Sequence, residues 1–215
     1  MTPRPRRRAG FTLIELLVAI SILAIVAVLG WRGLDSIVRA RIALTAQIEA
    51  TRGMQLAFAQ MQSDAEHIAS QAMLQNRPNL LAEAQGMTLV RNVYDENEPT
   101  RLQVISYRVR DGQLERRESL ATRDLIQLDV MWKAATSNTD ATPGVILQAG
   151  VTAITVQTWE NRKWVPAGAA ATAPVAQMAA GAALVQNLPP SGLQVALQLK
   201  DAQALMVKTF LLGGA

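Results

Sequence analysis

The chain has 215 residues, half of them hydrophobic, which suits one moderate domain with an accessory segment rather than two full domains. Its net charge of +4 is local: Arg4, Arg6, Arg7 and Arg8 precede residue 10 with no acid among them, and the other 17 basic residues face 17 acidic ones, with three Phe, two Tyr and no basic stripe, so no nucleic-acid partner is expected. Without cysteine there is no disulfide, thiolate nucleophile or cysteine metal site, and the single His67 cannot form a two-histidine metal set, so neither metal nor cofactor is expected.

Residues 1–10 read as a basic leader. Phe11 to Trp31 is an apolar run broken only by Thr12, Glu15 and Ser21. About 20 helical residues at 1.5 Å each cover the ~30 Å of a bilayer core. Arginines before the run and a balanced chain after it place the amino terminus in the cytoplasm by the positive-inside rule, and the remainder outside the inner membrane. An ordinary secretory signal would want a charge-free core and an A-x-A site, which Ala27-Val28-Leu29-Gly30 does not offer. A twin-arginine signal would want its phenylalanine nearer the arginine pair than Phe11 is to Arg7 and Arg8. An uncleaved signal anchor accounts for the apolar run but not for Glu15. A carboxylate in such a span costs about 2–3 kcal/mol unless it is neutralised or paired. A cut after Gly10 would leave the Phe11 α-amino group one helical turn before Glu15, where the two can meet within a chain or between staggered neighbours.

The order of small residue, Phe11 and Glu15 ahead of the apolar run resembles the type III signal of type IV pilins and type II secretion pseudopilins. The resemblance implies a prepilin peptidase that cuts after Gly10 and methylates Phe11, with Glu15 serving assembly.

Residues 32–76 are expected to continue the helix outside the membrane. No proline interrupts Trp31 to Gln75, Pro78 suits its stop, and Met54, Phe58, Met61, Ala65, Ile68 and Ala72 form a stripe of helical spacing that suits a core-facing surface. Leu34, Ile37, Val38, Ile42, Leu44 and Ile48 extend an apolar face toward the membrane. His67, beside the lower stripe, is given no chemistry, and Gly30, Gly33 and Gly53 are places where the helix can bend.

Residues 77–215 read as a β-rich head. Met87 to Val90 and Leu102 to Val109 have strand character, and Asp111-Gly112 turns a hairpin into Leu114 to Ser119. Val151 to Trp159 and Lys163 to Val165 form a second hairpin through Glu160-Asn161-Arg162. Leu193 to Leu199 and Leu205 to Leu212 form a third, around Asp201-Ala202-Gln203. Ala167 to Gln186 is alanine-rich and uncharged, an inserted loop with a short helix as the alternative. The fold class is therefore α+β, a long amino-terminal helix followed by antiparallel sheet. Asp95, Glu96 and Glu98 cluster in a loop without an EF-hand ligand pattern, and Trp132, Trp159 and Trp164 suit packing anchors. No G-x-S-x-G, H-E-x-x-H or P-loop pattern is present, so an enzyme is not expected.

The succession of Leu102 to Arg117, the Val145 to Trp164 region, and Leu188-Pro189-Pro190 leading into Leu193 to Leu199 resembles the J-type minor pseudopilins of type II secretion. That resemblance implies a non-catalytic subunit near the tip of a short periplasmic filament. Its partners would be the I-, K- and H-type minor pseudopilins and the major pseudopilin. The alternatives are a minor pilin of a type IV pilus or competence filament and a membrane-anchored periplasmic binding domain.

Overall fold

The computed structural model describes residues 11–167, 189–200 and 205–213. Gly10, most of the alanine-rich stretch expected at residues 167–186, and the expected turn at Asp201-Ala202-Gln203 lie outside them. The chain divides into two units, Met1–Glu49 and Ala50–Ala215.

Helix α1 spans Leu13–Glu66 and runs unbroken through Gly30, Gly33 and Gly53. In the first unit its side chains stand exposed, Ile14, Leu17, Leu23 and Trp31 among them. It is the one helix among the described residues long and apolar enough to cross a membrane. In the second unit the 4-3-4 stripe is confirmed: Met54, Met61 and Ala65 are buried, and Phe58 packs at 6.4 Å between ring centroids on Phe210. The helix nevertheless stops at Glu66 rather than near Gln75. The next backbone groups are taken by strand partners: Asn92 N–H donates to the His67 carbonyl, Ala69 N–H donates to Val90, and Ile68 bridges Arg91. A helical turn there would forfeit those bonds, so Ala72, the last residue of the predicted stripe, is exposed.

Strands β1 (Leu80–Glu83), β2 (Gly86–Val93), β3 (Arg101–Arg110), β4 (Gln113–Glu118) and β5 (Val145–Ala149) form one antiparallel sheet in that order. Helix α2 (Leu125–Thr136) lies between β4 and β5 in sequence, with Asp124 as N-cap accepting from Ile126 N–H at 2.8 Å. A second antiparallel sheet has the order β7-β6-β8-β9, from β6 (Val151–Glu160), β7 (Lys163–Pro166), β8 (Gly192–Leu199) and β9 (Met206–Leu211). The first two hairpins form as expected, with Arg110 opposite Gln113 across Asp111-Gly112, and Glu160 opposite Lys163. Asp111 and Gly112 both take positive φ, as a two-residue turn between twisted strands requires.

Two hydrophobic clusters explain the layers. Met54, Ala57, Met61 and Ala65 of α1 meet Met87, Leu89, Ile105, Tyr107 and Leu114 of the first sheet and Ile154, Val156, Leu193, Val195 and Leu197 of the second. The alternate residues Val90, Leu102 and Val104 face the other side, where Leu128 and Ala135 of α2 cover them. Strands β2 and β3 are thus buried on both faces, and α2 removes a second apolar surface from water. Arg108 reinforces that cover: its guanidinium donates to the Ala135 carbonyl at 3.0 Å, at the negative end of α2, and pairs with Glu83 at 2.6 Å.

Candidate functional site

The residues expected at the processing site begin at the edge of the described chain. Phe11 is 83% exposed ahead of α1. Thr12 takes the N-cap position and Glu15 the third helical position. Thr12 N–H and Thr12 Oγ1 both donate to Glu15 Oε2, at 3.1 and 2.9 Å, and Glu15 N–H returns a bond to Thr12 Oγ1 at 3.4 Å. This is a capping box, a helix-start device with the T-x-x-E spacing, which satisfies two orphan donors at once. The carboxylate at the head of the apolar helix is therefore held by its own first turn, one turn from the residue whose amine a cut would expose.

A second polar centre lies inside the head. Asp64 of α1 is fully buried on the stripe that packs the sheets. Its Oδ2 accepts from Tyr107 Oη on β3 at 2.5 Å and from Arg116 Nε on β4 at 2.9 Å. Its Oδ1 accepts from Arg116 Nη2 at 3.2 Å, Arg91 Nη1 on β2 at 2.9 Å and Gln60 Nε2 at 3.3 Å. Outward, Arg116 Nη1 donates to Glu118 Oε2 at 2.6 Å and Arg91 Nε to Gln103 Oε1 at 3.1 Å. Two carboxylates thus balance two guanidiniums, so a charge network survives in a low-dielectric interior.

Burial holds the Tyr107 phenol far above its ordinary range, and the Asp64 charge adds to this. At Arg116 burial opposes the charge, but the hydrogen bonds and charge of Asp64 outweigh it, so the guanidinium is held yet more firmly protonated. A phenol that keeps its proton and guanidiniums that never lose theirs are poor acid–base catalysts near neutrality. What the arrangement does is clamp α1 to three adjacent strands of the first sheet.

Asp64 was not legible as a site in the sequence, though a signal existed: an aspartate at the i+3 position of a Met61 row is out of place on an apolar face, and Arg116 shares the inward face of β4 with Leu114. His67 stands exposed just past α1, with Nδ1 at 2.8 Å from the Ser63 carbonyl oxygen and its ring 6.1 Å from Tyr94. Asp95 and Glu98 both pair with Arg101. Trp159 and Trp164 meet edge to face at 5.1 Å across the second hairpin, and Trp132 packs against the cluster beneath α2. Among the described residues no group of three or more His, Asp or Glu is placed to hold a metal ion.

An apolar helix of membrane-spanning length, opened by a Phe-Thr-x-x-Glu turn and followed by an antiparallel head, defines a pilin-like subunit. Residues 5–31 match the prokaryotic N-terminal methylation motif. Residues 32–211 match the family model of type II secretion system protein J, and the chain belongs to that family. No curated protein matches the chain. The family is one of structural pseudopilins rather than enzymes, and it associates with other pseudopilins of the secretion system. The apolar helix and the methylation motif are consistent with an anchor in the inner membrane.

Proposed function

We propose that this pseudopilin is cut after Gly10 by a prepilin peptidase, methylated at Phe11, and built by α1 into the pseudopilus at or near its tip. In this reading it spans the inner membrane once with its head in the periplasm, and it helps to initiate assembly with the I-, K- and H-type minor pseudopilins ahead of the major pseudopilin. The filament so primed drives folded proteins through the outer membrane.

The observation that carries this reading is Glu15 in the first turn of an exposed apolar helix, in a chain whose two parts match the methylation motif and the secretion family. Before processing, Thr12 satisfies the carboxylate. After processing, the Phe11 amine of the same or a neighbouring chain becomes its cationic partner, offsetting the roughly 2.5–3.5 kcal/mol cost of a charge at bilayer depth.

Mass spectrometry of the amino terminus, with and without a prepilin peptidase, tests this. A chain that begins at methylated Phe11 only when the peptidase is present is the expected result, and an intact leader under both conditions overturns the reading. Glu15→Ala is expected to insert and be cut normally while secretion falls. Unchanged secretion would remove Glu15 from assembly.

A further inference from the structure

Phe11 and Trp31 stand twenty residues apart, about 30 Å of helix, which matches the hydrocarbon thickness of a bilayer. Exposed apolar residues continue past Trp31 at Leu34, Ile37 and Val38, so a loss of apolar character does not mark the outer end of the span. Trp31 and Arg32 mark it instead. The indole is 73% exposed, and Arg32 is exposed beside it.

A headgroup layer of about 6 Å takes in four residues of helix, here Trp31, Arg32, Gly33 and Leu34. Arg32 is the one charge among them, and no ion pair holds it among the described residues. Asp35, the nearest acid, is bound by Arg39. Arg41, nine residues beyond Arg32, lies about 14 Å farther out, past that layer. An indole settles at the boundary between hydrocarbon and water. A guanidinium keeps its charge there and grips phosphate through two parallel hydrogen bonds. A zwitterionic headgroup brings its own cation to that phosphate, and an acidic one does not, so charge complementarity favours the acidic lipid.

We propose that Trp31 and Arg32 bind the headgroup of an acidic phospholipid in the leaflet at that end of the span, and that this contact sets the depth of α1. This rests on the reading of the chain as an inner-membrane pseudopilin. With Trp31 at one boundary of the hydrocarbon, Phe11 falls at the other, and Glu15 lies about 6 Å inside it. Sliding toward the cytoplasm drags Arg32 into hydrocarbon, and sliding outward carries Glu15 deeper, so the two charges hold the helix from opposite ends. Once a cut has removed Arg4, Arg6, Arg7 and Arg8, Arg32 is the side-chain cation left beside the span.

The chain has no cysteine, so a single Leu34→Cys substitution, about 4.5 Å outside Trp31, reports depth. The full-length chain is expressed with a prepilin peptidase, placed in vesicles of phosphatidylethanolamine and phosphatidylglycerol, and treated with a membrane-impermeant maleimide. The reaction rate is read as a ratio to that of Thr45→Cys, about 21 Å outside Trp31. Adding Trp31→Leu and Arg32→Leu should let the helix sink and lower this ratio about tenfold or more, whereas Arg32→Lys, which keeps the charge, should hold it within about twofold. Native mass spectrometry of the same chains in detergent, with phosphatidylglycerol and phosphatidylcholine supplied equally, should show phosphatidylglycerol retained by the parent and lost from Arg32→Leu. An unchanged ratio in the leucine variant, lipid retained without preference for the acidic headgroup, or retention indifferent to Arg32→Leu overturns the inference. The amino-terminal mass of the same samples separates the two levels: a chain that begins at Phe11 with any of those results loses the lipid contact alone, whereas an uncut leader removes the pseudopilin reading beneath it.

Discussion

Replacing Arg116 by Met removes the main counter-charge of the fully buried Asp64 while keeping most of the side-chain volume. Arg116 is 8% exposed and gives Asp64 two hydrogen bonds, at 2.9 and 3.2 Å. Removing one partner of such a buried pair typically costs about 3–5 kcal/mol, because the remaining charge stays desolvated. Arg91, with 23% of its side chain exposed, still reaches Asp64 Oδ1 at 2.9 Å, so the lower end, about 3 kcal/mol, is expected. For a chain of this size that corresponds to a fall in Tm of roughly 6–12 °C. The measurement is thermal unfolding in detergent micelles, followed by circular dichroism of the sheet signal. Asp64→Leu combined with Arg116→Met leaves no buried carboxylate in the cluster, and Arg91 and Glu118 reach solvent, so the double variant should recover part of the loss, the remainder being the Tyr107 hydroxyl deprived of its acceptor. A single variant that loses less than about 1 kcal/mol, or a double variant as unstable as the single, would refute the view that the cluster is a charge-balanced clamp.

Two further outcomes follow from the same region. The Tyr107 phenol is raised above its ordinary value of 10.0, so the unfolded chain releases that proton first. The stability it contributes is full below pH 10.0 and declines as pH rises beyond it; urea titrations of Tyr107→Phe should show a shallower alkaline decline than the parent chain. Gly86→Ala should destabilise the head by about 1–3 kcal/mol, because a Cβ there would lie 2.3 Å from the Tyr107 carbonyl oxygen on the paired strand; a midpoint unchanged in urea would show that β2 and β3 can part without cost.

The amino-terminal half and the hairpins were legible because their signals are local. An apolar run of bilayer length, a glutamate inside it, and a turn dipeptide between alternating strands each carry their physics within a few residues. Helix α2 was missed although Asp124 caps it and Leu125, Leu128, Met131 and Ala135 recur at helical spacing. Its existence follows from the second apolar face of β2 and β3, and only the strand pairing shows that this face needs a cover. The short strands β1 and β5 are edge strands whose partners, not their own sequences, make them strands.

What the sequence determined by itself is therefore the class of the protein: a basic amino-terminal stretch, an apolar helix with one carboxylate, and a β-rich head, written in composition and period. The tertiary structure decided where α1 ends, because the carbonyl of His67 and the N–H of Ala69 bond β2 instead of a further helical turn. It also decided that Asp64, Arg91, Tyr107 and Arg116 act together, since residues as far apart as 64 and 116 meet only when a helix and three strands bury a common charge.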